Sequence, residues 1–247
     1  MAEPRPGSPR LTRTSQPDSR DGRGSRGRWD DYAARWAALH GGVDPRHSSR
    51  PTRVWIRIAY AVGRGLAALH LSPDTISVVG VLLSAAVPVV VLFGGWWLLV
   101  AAGLVLASAV ADSADGAVAV LTSRTSRLGA FTDAVADRLS EAAWLLALWL
   151  AGVPGILVAV CLALCYLHEY ARARAAAAGM VGVGVVSVAE RPVRVILTTV
   201  ALVLGGAAFS VSARLAAGVM TIVVAVWVLL GLLGGARLLA AIRAALR

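Results

Sequence analysis

The sequence predicts an all-α integral membrane protein, with six transmembrane helices preceded by an in-plane amphipathic helix. Hydrophobic residues make up 57% of the 247 residues, and the mean hydropathy is +0.71. Long apolar segments follow one another from about residue 75 onward, and each reaches the roughly 20 residues that cross a hydrocarbon core. This composition describes a polytopic membrane protein with a basic periphery, and it leaves no room for a second, soluble domain.

Residues 1–50 differ from the rest because they are rich in Arg, Pro, Gly and Ser. They contain no long apolar stretch, so they are neither a signal peptide nor a hydrophobic core. We predict a disordered basic N-terminal tail over residues 1–50 and a membrane domain over residues 51–247. Anionic headgroups and nucleic acid both suit such arginines, but we expect a solvated tail and no nucleic-acid partner.

The next segment combines apolar residues at helical spacing with interleaved arginines. Residues 53–70 therefore predict an amphipathic helix lying in the headgroup plane. The sequence Ser72-Pro73-Asp74 then predicts the start of a new helix, with Ser72 or Asp74 as its cap.

Six hydrophobic spans follow in order. They are expected at residues 75–93, 95–120, 129–151, 154–177, 191–211 and 214–241. Gly, Pro and Ser mark three short connections between them, and Arg214 is the single charge there. The other arginines collect on the opposite side of the bundle, so the positive-inside rule places both termini at the cytoplasmic face of the cell membrane.

Four aspartates interrupt this apolar pattern on the predicted cytoplasmic side. Asp112 and Asp115 end the second span, and Asp133 and Asp137 begin the third. Spacings of three and four residues put each pair on one helical face. A carboxylate at membrane depth costs about 2.5–3.5 kcal/mol on insertion scales, so divalent cations such as Mg²⁺ or Mn²⁺ are the simplest neutralising partners. A pair of such ions can clamp a diphosphate.

Small residues beside the aspartates predict a cavity wall that a nucleotide can approach closely. These residues are Gly116, Ala117, Ala119, Gly129 and Ala130. Helix–helix packing through small side chains is the alternative interpretation of each.

The pattern Asp-x-x-Asp-Gly-x-x-Ala-(x9)-Gly-x-x-x-Asp-x-x-x-Asp, over residues 112–137, resembles the signature of the CDP-alcohol phosphotransferase family. The resemblance covers about residues 50–240. It implies a six-helix, usually dimeric membrane enzyme. Such an enzyme transfers the substituted phosphate of a CDP-alcohol, here CDP-diacylglycerol, to an acceptor alcohol and releases CMP.

The resemblance also implies roles for single residues. Asp112, Asp115, Asp133 and Asp137 become ligands of one or two divalent ions, Mg²⁺ or Mn²⁺. Asp137 is in addition the base that takes the proton of the acceptor hydroxyl. The residues expected to contact the cytidine nucleotide are Gly116, Ala119, Gly129, Pro73, Asp74 and Ser77.

One position departs from the family pattern, which usually has Arg after the Ala. This chain has Val120 there. Arg124 lies one helical turn further along the same face and Arg127 lies close by, so either can supply the missing guanidinium. Of the two, we expect Arg124 to make the phosphate contact. A non-catalytic family member is the alternative.

Arginines also gather where the fourth and fifth spans meet. Arg172, Arg191 and Arg194 are expected to bind a phosphate on the acceptor through bidentate hydrogen bonds. The arrangement is similar to that of phosphatidylinositol-phosphate synthases and of glycerophosphate-using relatives, so an inositol phosphate or glycerol phosphate acceptor is expected. The alternative is that these arginines are only a topology signal. His168 and Glu169 are expected at helix interfaces.

A divalent-metal transporter is the remaining alternative, since transporters also place acids inside membrane helices. Such a protein needs a polar path through the bilayer. No acid or His occurs in the outer half of any predicted span, which favours an enzyme.

Overall fold

The computed structural model describes residues 23–39, 42–180 and 191–246, which form eight α-helices and no strand within these ranges. The helices are α1 (Arg23–Leu39), α2 (Arg50–Ala68), α3 (Pro73–Val91), α4 (Trp97–Thr122), α5 (Arg127–Leu150), α6 (Gly155–Ala177), α7 (Arg191–Phe209) and α8 (Ala213–Ala245). The predicted all-α class is therefore confirmed.

Helices α3 to α8 share one apolar core. α3 packs against α4 and α5, α4 also packs against α7, and α8 packs against α6 and α7. Trp144 of α5 is fully buried, and its indole nitrogen donates a hydrogen bond to Ser84 Oγ of α3 over 3.1 Å. The core brings the polar ends of α3, α4, α5 and α7 to the same end of the bundle.

Five of the described helices are long and apolar enough to cross a membrane, namely α3, α4, α6, α7 and α8. α5 differs because the part from its start to Glu141 is heavily charged. The charged residues there are Arg127, Asp133, Asp137, Arg138 and Glu141. The protein is thus a multi-pass membrane protein, and the count of six spans stays a prediction.

The capping prediction before the first span is confirmed. Ser72 Oγ accepts a hydrogen bond from the backbone nitrogen of Thr75 over 3.1 Å, and α3 begins at Pro73. This cap satisfies one of the free backbone donors at the helix start. It also fixes the entry of α3 beside the end of α4, where Ser77 meets Asp115.

α2 is amphipathic, as the sequence predicts. Ile56, Ala59, Tyr60 and Gly63 form its buried face. At Gly63 a Cβ atom would lie 2.8 Å from Ala117 Cβ, so α2 crosses α4 very closely. The prediction that α2 lies in the headgroup plane stays open at this point.

The expected disordered tail is wrong for residues 23–39, which form helix α1. Tyr32 is 2% exposed and Ala33 is fully buried. The basic composition hid aromatic residues that recur at helical spacing and pack on α2 and α4. The other residues of the predicted tail before α1, residues 1–22, lie outside the described residues.

Candidate active site

Three of the four aspartates meet at the polar end of the bundle. Asp112 of α4 and Asp133 and Asp137 of α5 each offer a carboxylate oxygen, and these oxygens lie within 4.8 Å of one another. A short turn joins the two helices and makes this possible. Ser123 closes α4 in the left-handed conformation at φ 56°, and Ser126 Oγ accepts from the backbone nitrogen of Gly129 at the start of α5.

The donor set fits a hard divalent ion. Mg²⁺ and Mn²⁺ prefer carboxylate oxygens, and the three aspartates offer one oxygen each at compatible separations. Asp115, the fourth predicted ligand, lies one turn further along α4 and is 5% exposed. Its carboxylate accepts a hydrogen bond from the Ser77 hydroxyl. The structure therefore gathers three predicted ligands and holds the fourth beside them.

Arg191 reaches the same carboxylates from α7. Its Nη1 lies 2.6 Å from Asp112 Oδ1 and also contacts the carboxylate of Asp137. Arg138 Nη2 lies 3.8 Å from Asp137 Oδ2. Fixed positive charge therefore faces the cluster from two helices, which compensates part of its negative charge.

A cavity of about 420 Å³ opens beside the cluster. This volume lies in the range of small-molecule sites, roughly 300–1,000 Å³. All the residues predicted to contact the nucleotide line it: Pro73, Asp74, Ser77, Gly116, Ala119, Arg124 and Gly129. Asp115 and Asp133 line it as well, so the cavity and the carboxylates form one continuous site.

The backbone of α4 is open to this cavity at Gly116. A Cβ atom at Gly116 would meet no heavy atom within 4 Å, so any side chain there would project into the cavity space. At Gly129 a Cβ atom would lie 3.1 Å from Ser126 Oγ, which caps α5. The two glycines thus have different roles. Gly116 allows a ligand to approach the backbone closely, and Gly129 leaves space for the Ser126 side chain that caps α5.

We expect Gly116→Ala to weaken the binding of the CDP-alcohol without unfolding the protein. The added methyl group meets no protein atom and favours the helix by about 1 kcal/mol. It enters the cavity, so KM for the CDP-alcohol should rise about fivefold or more while the thermal midpoint is kept. Gly103→Ala is the matched control, because it makes the same exchange on α4 where an added Cβ atom also meets nothing within 4 Å, and Gly103 does not line the cavity. An unchanged KM for Gly116→Ala would show that the ligand does not approach this backbone.

Val120 lies in the last turn of α4, and Arg124 lies in the connection after it rather than one turn further along the same helix. Val120 is 6% exposed, and Arg124 follows the left-handed Ser123, its backbone nitrogen donating to Ala119 O over 2.9 Å. Because both residues line the cavity, Arg124 is placed where its guanidinium can serve the site that Val120 leaves without charge.

Arg194 has a different role from the one predicted. It is 2% exposed, and its Nη1 and Nη2 lie 2.8 Å from Glu141 Oε1 and 3.2 Å from Glu169 Oε1. Arg138 joins this cluster, 2.9 Å from Glu141. Arg191 also pairs with two carboxylates, but its side chain is 19% exposed, whereas that of Arg194 is 2% exposed. Arg194 also does not line the cavity beside the aspartates. The structure therefore does not support Arg194 as an acceptor ligand.

The other residues of this region are placed as follows. Arg172 lies half-buried near the end of α6. His168 is 4% exposed, and a Cβ atom at Gly235 would lie 2.8 Å from its Nε2, so it packs at the α6–α8 interface as predicted. Glu141 is the buried ion-pair residue that the sequence did not reveal, because one Glu in an apolar run does not indicate its partner.

Comparison with known proteins identifies the family. The family model described as CDP-alcohol phosphatidyltransferase matches residues 70–242. Archaetidylinositol phosphate synthase of Pyrococcus horikoshii is 32% identical over 142 residues, which are 57% of this chain and 73% of that protein. Phosphatidylinositol phosphate synthase of Mycobacterium marinum is 34% identical over 161 residues, which are 62% and 65% of the two chains.

Solved structures agree with these relatives. Mycobacterium tuberculosis phosphatidylinositol phosphate synthase in complex with manganese and citrate is 26% identical. It superposes with a TM-score of 0.58 over 73% of this chain and 88% of that chain. The same enzyme with CDP-DAG bound is 25% identical, with a TM-score of 0.57 over 74% and 94%. Manganese in that enzyme agrees with the divalent ion that the carboxylates here would hold.

The match covers most of the membrane domain, and it includes the aspartates and every residue that lines the cavity except Leu39. It favours an enzyme over a metal transporter. The carboxylate cluster, the adjoining cavity and the relatives agree on one chemistry, transfer of a phosphatidyl group from a CDP-alcohol with release of CMP. The chain belongs to the CDP-alcohol phosphatidyltransferase family of membrane enzymes.

Proposed function

We propose that this protein transfers the phosphatidyl group of CDP-diacylglycerol to an inositol phosphate and releases CMP. One observation carries the proposal. The cavity lined by the predicted nucleotide residues opens directly on the carboxylate cluster, where Arg191 adds a guanidinium from a third helix. The relatives named above are an archaetidylinositol phosphate synthase and a phosphatidylinositol phosphate synthase, and these names favour inositol phosphate over glycerol phosphate as the acceptor.

The geometry supports a direct displacement. The nucleotide occupies the cavity, with its diphosphate toward Asp115 and Asp133. Asp112, Asp133 and Asp137, with Asp115 beside them, would hold a divalent ion, which would supply charge stabilisation to the diphosphate. The acceptor hydroxyl attacks the phosphorus nearest the lipid, and its proton passes to the Asp137 carboxylate. The bond from that phosphorus to the bridging oxygen breaks, and CMP leaves.

Arg191 is the best candidate for contacting the acceptor phosphate. It lies against Asp137, so a phosphate bound to its guanidinium would bring a neighbouring hydroxyl close to the base. Arg172 is a second candidate from α6. Arg194 is left out because Glu141 and Glu169 hold it inside the protein.

We also propose the membrane arrangement that the family resemblance implies. α5 completes the set of six spans as the third in chain order, with its charged part up to Glu141 at the site and its apolar remainder in the bilayer. α2 lies in the headgroup plane, and the site and both termini face the cytoplasm, as the distribution of arginines favours. The protein acts as a homodimer.

An acceptor panel tests the proposed function. Purified protein with CDP-diacylglycerol and Mn²⁺ or Mg²⁺ should release CMP with inositol phosphate, with kcat/KM about a hundredfold or more above that with free inositol. Glycerol phosphate is tested in the same assay, and we expect a lower kcat/KM with it than with inositol phosphate. Equal kcat/KM for inositol and inositol phosphate would remove the phosphate from recognition and leave the arginines as topology signals.

Arg124 should contribute to the binding of the CDP-alcohol. A charge-assisted hydrogen bond is worth on the order of 1.5–3 kcal/mol, so Arg124→Ala should raise KM for CDP-diacylglycerol about tenfold or more. Arg127→Ala is the matched control, because Arg127 does not line the cavity. Unchanged kinetics for Arg124→Ala would show that Arg124 does not replace the family Arg.

A further inference from the structure

Helix α1 lies outside the part of the chain that the family model matches, which begins at residue 70. It is nevertheless firmly packed. Two rings of α1, Trp29 and Tyr32, pack against Tyr60 of α2. The ring centroids of the two tyrosines lie 4.8 Å apart, and those of Trp29 and Tyr60 lie 5.4 Å apart. The guanidinium carbon of Arg57 lies 5.4 Å from the centroid of the Trp29 ring. Such contacts fix a short helix to its neighbour.

The aromatic cluster continues onto α4. Tyr32, Ile56, Tyr60, Ala117 and Val120 form one buried apolar group. Burial raises the pKa of Tyr32 to about 12, so its phenol stays neutral in this apolar group at physiological pH. α1 is therefore anchored to the helix that carries the first two aspartates.

Val120 belongs to both the aromatic cluster and the cavity wall. Val120 thus links the apolar group that holds α1 to the wall of the cavity. Leu39, the last residue of α1, lines the cavity itself although it is 54% exposed. α1 is therefore connected to the cavity at two places. One is Val120, which lies in the apolar group and in the cavity wall, and the other is Leu39, which lines the cavity directly.

This arrangement gives a reason for Val120. An Arg at position 120 would place a charge in the apolar group that holds α1, where an unpaired charge is costly. Val120 instead completes the anchor, while Arg124 lines the cavity from the connection that follows α4. The presence of Val120 in place of the family Arg is then explained by the packing of α1.

We propose that α1 is a positioning element of the nucleotide site: its packing on Val120 and Tyr60 holds Leu39 at the cavity mouth and tightens the binding of the CDP group. The inference rests on the proposed function, since it takes the cavity as the nucleotide site. It predicts an effect on nucleotide affinity and little effect on the acceptor.

The test uses the full-length purified protein and free CDP with Mg²⁺ as the probe, measured by isothermal titration. Tyr32→Ala should raise Kd for CDP about tenfold, and Tyr32→Phe, which keeps the ring, should stay within about twofold of the wild type. Leu39→Ala should raise Kd about threefold without disturbing the fold, because Leu39 is half exposed. Phe93→Ala, an exposed aromatic residue after α3, is the control.

Kinetics add a readout that general damage would not reproduce. KM for CDP-diacylglycerol should rise in Tyr32→Ala, while kcat and the acceptor KM change less than about twofold. Unchanged CDP affinity in Tyr32→Ala, or equal changes in both KM values, would overturn the inference. If Tyr32→Ala does not fold, Leu39→Ala decides, and wild-type affinity there overturns it. Wild-type protein that binds CDP but releases no CMP would instead refute the proposed function.

Discussion

Asp137→Asn should leave a folded, membrane-inserted protein with almost no turnover. The amide can neither accept the hydroxyl proton nor serve as a charged ligand, and it loses the contact with Arg191. General base catalysis alone contributes about 10²–10⁴-fold, so kcat should fall at least a hundredfold. The rate of CMP release by the purified variant measures the loss of turnover, and its thermal midpoint shows whether the protein is still folded.

The matched control is Asp31→Asn, which makes the same exchange at an exposed position of α1. It should keep wild-type rates. If Asp137→Asn retains more than about a tenth of the wild-type rate, equivalent to a barrier change below roughly 1.4 kcal/mol, Asp137 is not the base. Asp133→Asn should likewise lose most activity through the divalent ion.

Removal of Glu141 should produce the largest loss of stability. Glu141 is fully buried and Arg194 is 2% exposed, so Glu141→Leu leaves a buried guanidinium without its nearest partner. Breaking a buried ion pair typically costs about 3–5 kcal/mol. The thermal midpoint of the variant in detergent micelles should fall accordingly, and expression in membranes should drop.

A double variant separates ion pairing from the effect of side-chain size. Glu141→Leu with Arg194→Met removes both charges and leaves Arg138 with Glu169, which lie 3.3 Å apart. We expect this protein to regain about half or more of the lost stability, because no buried charge is left unpaired. Additive losses in the double variant would contradict the account of a buried ion pair.

The helical framework could be predicted closely from the sequence. The second span was expected at residues 95–120 and is α4, Trp97–Thr122. Apolar runs bounded by Gly, Pro and Ser set such boundaries locally, which is why they can be read without a structure. α1 could not be predicted in this way, because its stability comes from Tyr60 and Val120, distant residues that a composition average does not weigh.

The site, like the fold, could be predicted only where local sequence patterns determine it. The spacing of the aspartates fixed which helical faces they share, and three of them do converge. The ion pairs between side chains of different helices could not be predicted from the sequence. Arg194 and Glu141 are 53 residues apart, so nothing in the local pattern distinguishes a buried partner of Glu141 from a ligand for the acceptor phosphate.

The most direct test of the central claim is the joint dependence of CMP release on acceptor and divalent ion. Purified protein with CDP-diacylglycerol and inositol phosphate should form CMP and phosphorylated lipid product in equal amounts when Mn²⁺ or Mg²⁺ is present. EDTA should stop both, and added Mn²⁺ or Mg²⁺ should restore them. CMP release that persists in EDTA, or that proceeds without any acceptor, would contradict the account.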